Sequence, residues 1–359
     1  MPVLRRSPLD DRHRARGATM TGFGGWEMPL DYGSVVAEHR AVRTSCGVFD
    51  LSHLGTVRVT GDGAQACLRR AFTNDVAQLA PGRAHYTLCL NTDGGIVDDL
   101  LVYHLDGGFF VVPNAANAAA VGDALTAAAA AAGGCEVVDV KDHLACLAVQ
   151  GPDSAEVVTG TGCDVGDLAY LDCRATPGGL PPAGGVLARS GYTGERGYEL
   201  FLPAEHAAAL WDRLVDAGAT PAGLGSRDTL RLEMGYPLHG QDITPATSPV
   251  EARLGWAVKG SGFVGEEAYR TAQGAGAPRL LWGLRATGRG IPRAGCVVHR
   301  EGEELGAVTS GSFSPTLRVG IAMGYVDATP GERVEIDVRG KTVAAEVVRP
   351  PFVDASPKR

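Results

Sequence analysis

No CxxC pair occurs among the eight cysteines, and their spacing matches no metal-ligand pattern. Most stand inside apolar runs, such as Cys89 in YTLCL and Cys146 in HLACLAV, and read as buried free thiols in a reducing compartment. No apolar run is long enough to cross a bilayer, because the best stretch, 109–133, is broken by Pro113, Asn114, Asn117 and Asp123. The opening MPVLRRSPLDDRHR has no apolar core segment and is not expected to be a secretory signal. The net charge of −8 is spread along the chain. It argues against broad nucleic-acid binding and offers no polybasic patch to a membrane. No GxSxG nucleophile elbow occurs, and no GxGxxG unit follows an N-terminal strand. The expectation is a soluble cytoplasmic protein with no metal and no flavin.

What the chain does have is glycine (50) and proline (21), the punctuation of many turns and short strands. Its 359 residues are long for a single core, so two or three domains are expected. The most informative stretch is 84–104, AHYTLCLNTDGGIVDDLLVYH. Strand formers at 86–90, the turn residues NTDGG and a second run at 96–103 spell a β-hairpin. In the second strand Ile96, Asp98, Leu100 and Val102 share one face, and Val97, Asp99, Leu101 and Tyr103 the other. Both faces are apolar apart from one aspartate each. A carboxylate in apolar surroundings needs donors or a proton, so the Asp98–Asp99 pair is a candidate site. Strand periodicity does not choose between the two.

Ser7 before Pro8 fits the N-cap of a first helix. Trp26 lies in an irregular aromatic segment and reads as a core plug. His53, close to Asp50 and Ser52, suggests a catalytic triad, but the three are too near in sequence and His53 reads as structural. Residues 55–140 alternate strand, helix, hairpin, strand, helix and strand, an α+β layer with helices on one face of a mostly antiparallel sheet. The glycine- and proline-rich stretch 176–185 reads as a loop. Next, SGYTGERGYELF brings a glycine-rich turn into a strand bearing Glu199, where a flat ligand can approach the backbone. Ser226 fits the N-cap of a helix over 227–234. On it Arg227 and Arg231 share a face and call for anionic partners. The stretch 235–265 is turn-rich with a strand-like centre at Trp256. After a linker at 273–278, strands are expected at 279–285, 296–299, 305–312, 319–326, 333–338 and 341–348, a small all-β barrel or sandwich.

Taken in order, these segments resemble the glycine cleavage T-protein (aminomethyltransferase) family. The matching stretches include FGGWEMPLDYGS, GVFDLSHLG, NTDGGIVDDLLVY, VVPNAAN, AVQGPDS, SGYTGERGYELF, PAGLGSRDTLRLEMGYPLHGQD and GAVTSGSFSPTLRVGIAMGYVD. The resemblance implies a three-domain cloverleaf around a central channel. Its parts would be a discontinuous first domain (1–54 and 138–250), a second α+β domain carrying the hairpin (55–137), a connecting segment (251–278) and a C-terminal β-barrel (279–359). The implied activity takes the aminomethyl group on the lipoyl arm of H protein and gives its carbon to tetrahydrofolate, the co-substrate. The products are 5,10-methylenetetrahydrofolate, ammonia and the dihydrolipoyl arm. The family motif selects Asp99 as the catalytic aspartate. It maps folate or substrate binding onto Glu199 and Arg227, and further pocket positions onto Tyr86, Asn114, Tyr192, Trp256 and Leu54.

The chain departs from the family at Leu54, where many members carry methionine, and at Ser226, where alanine is common. It ends DASPKR, without the tyrosine that some members carry in a longer tail. Two rival readings on the same fold are a stand-alone tetrahydrofolate-dependent demethylase and a non-enzymatic folate-binding protein. The second carries a Lys-Gly-Cys signature, whereas this chain reads Lys259-Gly260-Ser261.

Overall fold

The computed structural model describes residues 3–179, 181 and 184–358. Leu180, Pro182 and Ala183 of the expected loop lie outside the described residues, as do Met1, Pro2 and Arg359 at the termini. The hairpin forms as expected from strands Arg83–Leu90 and Ile96–Leu105. It continues into a sheet through Gly108–Val112, Val57–Thr60 and Glu136–Asp139, with every pair antiparallel. A second, six-stranded sheet runs Cys173–Ala175, Val186–Ala188, Gly197–Pro203, Leu144–Gln150, Gly47–Asp50 and Thr220–Pro221.

Both faces of the hairpin sheet are covered, which is why neither face of its strands reads as polar. Leu100 and Val102 pack with Cys67, Leu68, Val121 and Leu125 of the helices Ala64–Ala71 and Ala118–Ala132. Tyr103, Leu105 and Phe110 face the other way and join Phe49, Ala148 and Phe201 of the six-stranded sheet in one core. The two sheets therefore meet face to face, and the side chains that alternate towards this seam are the ones that build the site.

The C-terminal strands close a six-stranded barrel: Leu280–Ala286, Val319–Val326, Glu303–Ser314, Val297–Arg300, Arg333–Val338 and Lys341–Val348. It docks on helix Leu224–Met234, whose Leu232 packs among Leu281, Ile321 and Met323. A third, smaller sheet, Arg5–Arg6, Trp26–Asp31 and Thr19–Phe23, completes the strand pairing.

Four local expectations are corrected. Ser7 does not cap the first helix, which spans Asp10–Ala15 behind Leu9. Its hydroxyl accepts from the Leu9 N–H and donates to the buried Asp50 carboxylate. Ser226 lies inside helix Leu224–Met234, whose N-cap is Gly223, and its hydroxyl donates back to the Gly223 carbonyl at 2.9 Å. A Cβ at Gly223 would stand 2.3 Å from the Leu30 carbonyl oxygen, so close packing holds glycine at the cap. Trp256 lies in a 3₁₀ turn, Gly255–Ala257, and not in a strand. Trp26 is buried as expected, but it opens a strand, with Arg5 and Lys141 over its ring at 4.3 and 4.6 Å.

A buried ion network fastens the barrel to the helices. Glu233 accepts from Arg43 Nη2 at 2.9 Å, the Ser314 hydroxyl at 2.5 Å and the Thr316 N–H at 3.1 Å. His39 Nε2 stands 3.3 Å away. Burial pushes the Glu233 carboxyl up, but His39, Ser314 and Arg43 outweigh it and hold the group at about 2. A carboxylate held below its unfolded value stabilises the fold fully above the unfolded pKa of about 4.3, and the contribution is lost as pH falls towards about 2. Glu233→Gln is therefore expected to lose stability at neutral pH and to show a flatter loss of stability in acid. Urea unfolding from pH 7 down to pH 3 measures both. Glu233→Ala, which strands buried partners, is expected to cost about 3 kcal/mol or more.

Candidate active site

The hairpin turn is built by its own polar side chain. Asn91 Oδ1 accepts from the backbone N–H groups of Asp93 and Gly95. Gly94 adopts φ of +79°, and a Cβ on Gly95 would stand 1.8 Å from the Pro245 carbonyl oxygen. The turn fixes the register, which sets Leu88 opposite Asp99 and Cys89 opposite Asp98.

Alternation then separates the two aspartates. Asp98 points with Leu100 and Val102 towards the helices. There its carboxylate accepts from the Asn114 N–H at 2.9 Å, Asn114 Nδ2 at 2.8 Å and Asn117 Nδ2 at 2.7 Å. Asp99 points with Leu101 and Tyr103 towards the seam between the sheets. Its Oδ2 accepts from the Tyr86 hydroxyl, a diagonal cross-strand neighbour, at 2.9 Å. Among the described residues the side-chain contact of its Oδ1 is a long one, 3.3 Å to Asn114 Nδ2, an amide already engaged by Asp98 and by the Asp99 carbonyl. Asp98 is satisfied by the protein, whereas Asp99 keeps lone pairs free. Burial raises both carboxyls. Asp98, pushed up further by the charge of Asp99, reaches about 7.

Across the seam Glu199 lies on strand Gly197–Pro203, on the face it shares with Phe201. The hydroxyl of Tyr103, which shares the Asp99 face, donates to its Oε2 at 3.2 Å, and the Ser190 hydroxyl donates to the same oxygen. One tyrosine on the hairpin sheet thus bridges to the carboxylate on the other sheet. Arg227 rises from helix Leu224–Met234 with its guanidinium 4.9 Å over the Tyr192 ring, and its Nη1 is buried without a partner among the described residues. Burial pushes this guanidinium down, against the opposing pull of Glu199. Arg231, one turn on, meets the anions both arginines call for: Asp242 Oδ2 and Asp228 Oδ1, each at 2.7 Å.

Tyr192 stacks on Tyr236 at 5.6 Å. Trp256 stacks on Tyr86 at 5.2 Å while remaining 59% exposed, an open aromatic wall next to the Asp99 contact. Leu54 packs at the edge of the core between the sheets. The structure thus joins Asp99, Tyr86, Asn114 and Trp256 in one chain of contacts and sets Arg227 on Tyr192 within electrostatic reach of Glu199, whereas Asp98 faces the helices and Arg231 pairs with Asp242. The triad reading of His53 fails on geometry: Asp50 Oδ2 is bonded to His13 Nε2 at 2.9 Å, and Ser52 Oγ accepts from the Cys146 N–H at 3.1 Å. The sequence does not single out Asn117, Tyr103, Ser190 or His239 as site residues. Asn117 had a signal, its three-residue spacing from Asn114 across a helical turn. His239, whose Nε2 contacts the Ile96 carbonyl at 3.0 Å, had none.

Among the described residues no group of three or more His, Cys, Asp or Glu side chains is gathered as a metal would require. Among the same residues no helix is long and apolar enough to cross a membrane.

The sequence matches the GCVT N-terminal domain over residues 9–261 and the glycine cleavage T-protein C-terminal barrel domain over residues 279–354. It is 50% identical to an aminomethyltransferase of Frankia alni, covering all of both chains. It is 48% identical to an aminomethyltransferase of Mycobacterium avium, over 98% of this chain and 97% of that one. Among solved structures, the glycine cleavage system aminomethyltransferase T from Bartonella henselae superposes with a TM-score of 0.93 at 37% identity, over 99% of this chain and all of that one.

Because Asp98 is raised to about 7, its charge is disfavoured in the fold. The sign is opposite to that of Glu233: stability is greatest below the unfolded pKa of about 3.9 and falls as pH rises towards about 7. Asp98→Asn is expected to flatten that decline. Urea midpoints at pH 5 and pH 8, compared with wild type, read the change.

Proposed function

We propose, from the premise that this chain belongs to the glycine cleavage T-protein family and is an aminomethyltransferase, that its reaction takes place at the seam between the hairpin sheet and the six-stranded sheet. The donor is the aminomethyl-lipoyl arm of H protein, and the acceptor is tetrahydrofolate. The methylene carbon leaves both its sulfur and its nitrogen and becomes bonded to N5 and N10 of the folate. The two protons those nitrogens lose balance the new S–H of the dihydrolipoyl arm and the third hydrogen of ammonia.

The observation that carries this reading is the unequal treatment of the two aspartates. Asp98 has three N–H donors, whereas Asp99 keeps a nearly free carboxylate oxygen towards the seam. Asp99 orients N5 and stabilises the cationic methylene as ammonia departs, acting in surroundings where charge is poorly screened. Tyr86 holds it through one hydrogen bond, and Asn114 spaces it from Asp98. Glu199 accepts from the amino group and the ring N–H of the pterin in parallel. Arg227 stands beside it, and Tyr192, Tyr86 and Trp256 offer aromatic faces to the flat rings.

The same reading keeps the three-part cloverleaf around a channel, with the hairpin unit extended to Asp139, since Glu136–Asp139 pairs along its length with Val57–Thr60. It places the protein in the cytoplasm, in keeping with eight free cysteines.

The test is ammonia release from H protein loaded with the aminomethyl-lipoyl group, with and without tetrahydrofolate. Fast, folate-dependent release with methylenetetrahydrofolate formed supports the proposal. Folate binding without turnover overturns it in favour of another donor. Asp99→Asn is expected to lower kcat about a hundredfold or more while the far-UV spectrum stays that of wild type. Glu199→Ala is expected to raise KM for tetrahydrofolate at least about tenfold with a smaller change in kcat.

A further inference from the structure

His53 is the one buried imidazole near the seam without a hydrogen bond among the described residues. It is 4% exposed, and its Nδ1 is sealed from water with no partner. The other two buried histidines are fully engaged: His13 binds Asp50 and Tyr32, and His39 binds Thr229 and Thr316. An unpaired polar atom in the interior is costly, and folds keep few of them. A second such atom, Arg227 Nη1, belongs to the same neighbourhood, since the Arg227 charge acts on His53.

The surroundings tie His53 to the site. Ser52, its chain neighbour, is bonded to Cys146 of the strand that pairs with the Glu199 strand. Cys146 in turn lies within electrostatic reach of both Glu199 and Arg227. On its outer side the ring meets Phe23 edge-on at 5.4 Å. Phe23 stands at the turn of the N-terminal hairpin, where a Cβ on Gly24 would be 2.8 Å from Ala115, next to Asn114. Burial and the cations Arg227 and Lys141 push His53 down to about 3, against the pull of Asp50, so the ring is neutral and keeps one N–H.

We propose that His53 is a folate-positioning residue, donating with Arg227 to the carbonyl at the edge of the pterin. This rests on the reading of Glu199 given above. The edge of a reduced pterin presents amino group, ring N–H and carbonyl in sequence. A carboxylate takes the first two as acceptor, and the carbonyl next to them needs donors. Arg227 Nη1 and the His53 N–H are guanidinium and ring donors left unused there among the described residues, and bound folate satisfies both.

The experiment measures tetrahydrofolate affinity by titration calorimetry, together with melting temperature, for wild type, His53→Leu, His53→Asn and Glu199→Gln. His53→Leu fills the space without a polar atom and is expected to weaken tetrahydrofolate at least about tenfold, with a melting temperature equal to or above that of wild type. His53→Asn keeps an N–H near the Nδ1 position and is expected to stay within about threefold of wild type. Steady-state KM for tetrahydrofolate should rise in His53→Leu while KM for loaded H protein does not. A His53→Leu protein that binds tetrahydrofolate as wild type does, while Glu199→Gln is weakened, overturns the role of His53 alone. If Glu199→Gln also binds normally, the folate reading of the pocket falls with it. A lowered melting temperature with unchanged affinity marks His53 as structural and overturns the proposal.

Discussion

Carboxylates held out of water on the covered faces of the hairpin sheet and of the sheet opposite it are the constraint on which the rest of this molecule depends. Asp98, Asp99 and Glu199 all sit where a charge is expensive, and each must be compensated locally. Asn114 and Asn117 at the start of one helix do this for Asp98, and Tyr103 and Ser190 for Glu199. Asp99, through Oδ1, and Glu199, whose two bonds both go to Oε2, keep capacity for a ligand. The compensation fixes the geometry. The hairpin cannot slip by one residue without exchanging the faces of the two aspartates, and its glycine turn against Pro245 prevents that slip.

Away from the seam, buried charge is used differently. Arg231 with Asp242, and Glu233 with Arg43 and Ser314, are closed networks between the helices and the barrel. Every partner there is satisfied, which suits groups that fix how one unit sits on another. At the seam, by contrast, Arg227 Nη1 and His53 Nδ1 remain unpaired. Trp211 Nε1 and Asp10 Oδ1 are also buried without a partner among the described residues, so it is the pairing of two unused donors beside Glu199 that distinguishes the seam.

Much of the architecture was legible in the chain. The hairpin and the six C-terminal strands carry strong periodicity or strong turn chemistry, and all form close to their expected bounds. The local errors share a cause. Ser7 and Ser226 have the right residue type for a cap, but the hydroxyl of Ser7 is drawn to a buried carboxylate distant in sequence. At Gly223 a packing clash excludes any side chain from the cap. The aromatic and glycine content around Trp256 reads equally well as a strand or a turn, and stacking on Tyr86 settled it as a turn.

The sequence by itself determined the element types, the two buried faces of the hairpin strand and the presence of an aspartate on each. Those follow from short-range chemistry: side-chain alternation, turn residues and apolar patterning. It did not determine which aspartate meets a ligand, because both faces are equally apolar and alternation is symmetric. Only tertiary structure broke that symmetry. It placed helix-bound asparagine amides on one face and a second sheet with Glu199, Arg227 and His53 on the other. That difference rests on contacts between separate elements of the chain, 16 to 96 positions apart, which side-chain alternation within one strand does not encode.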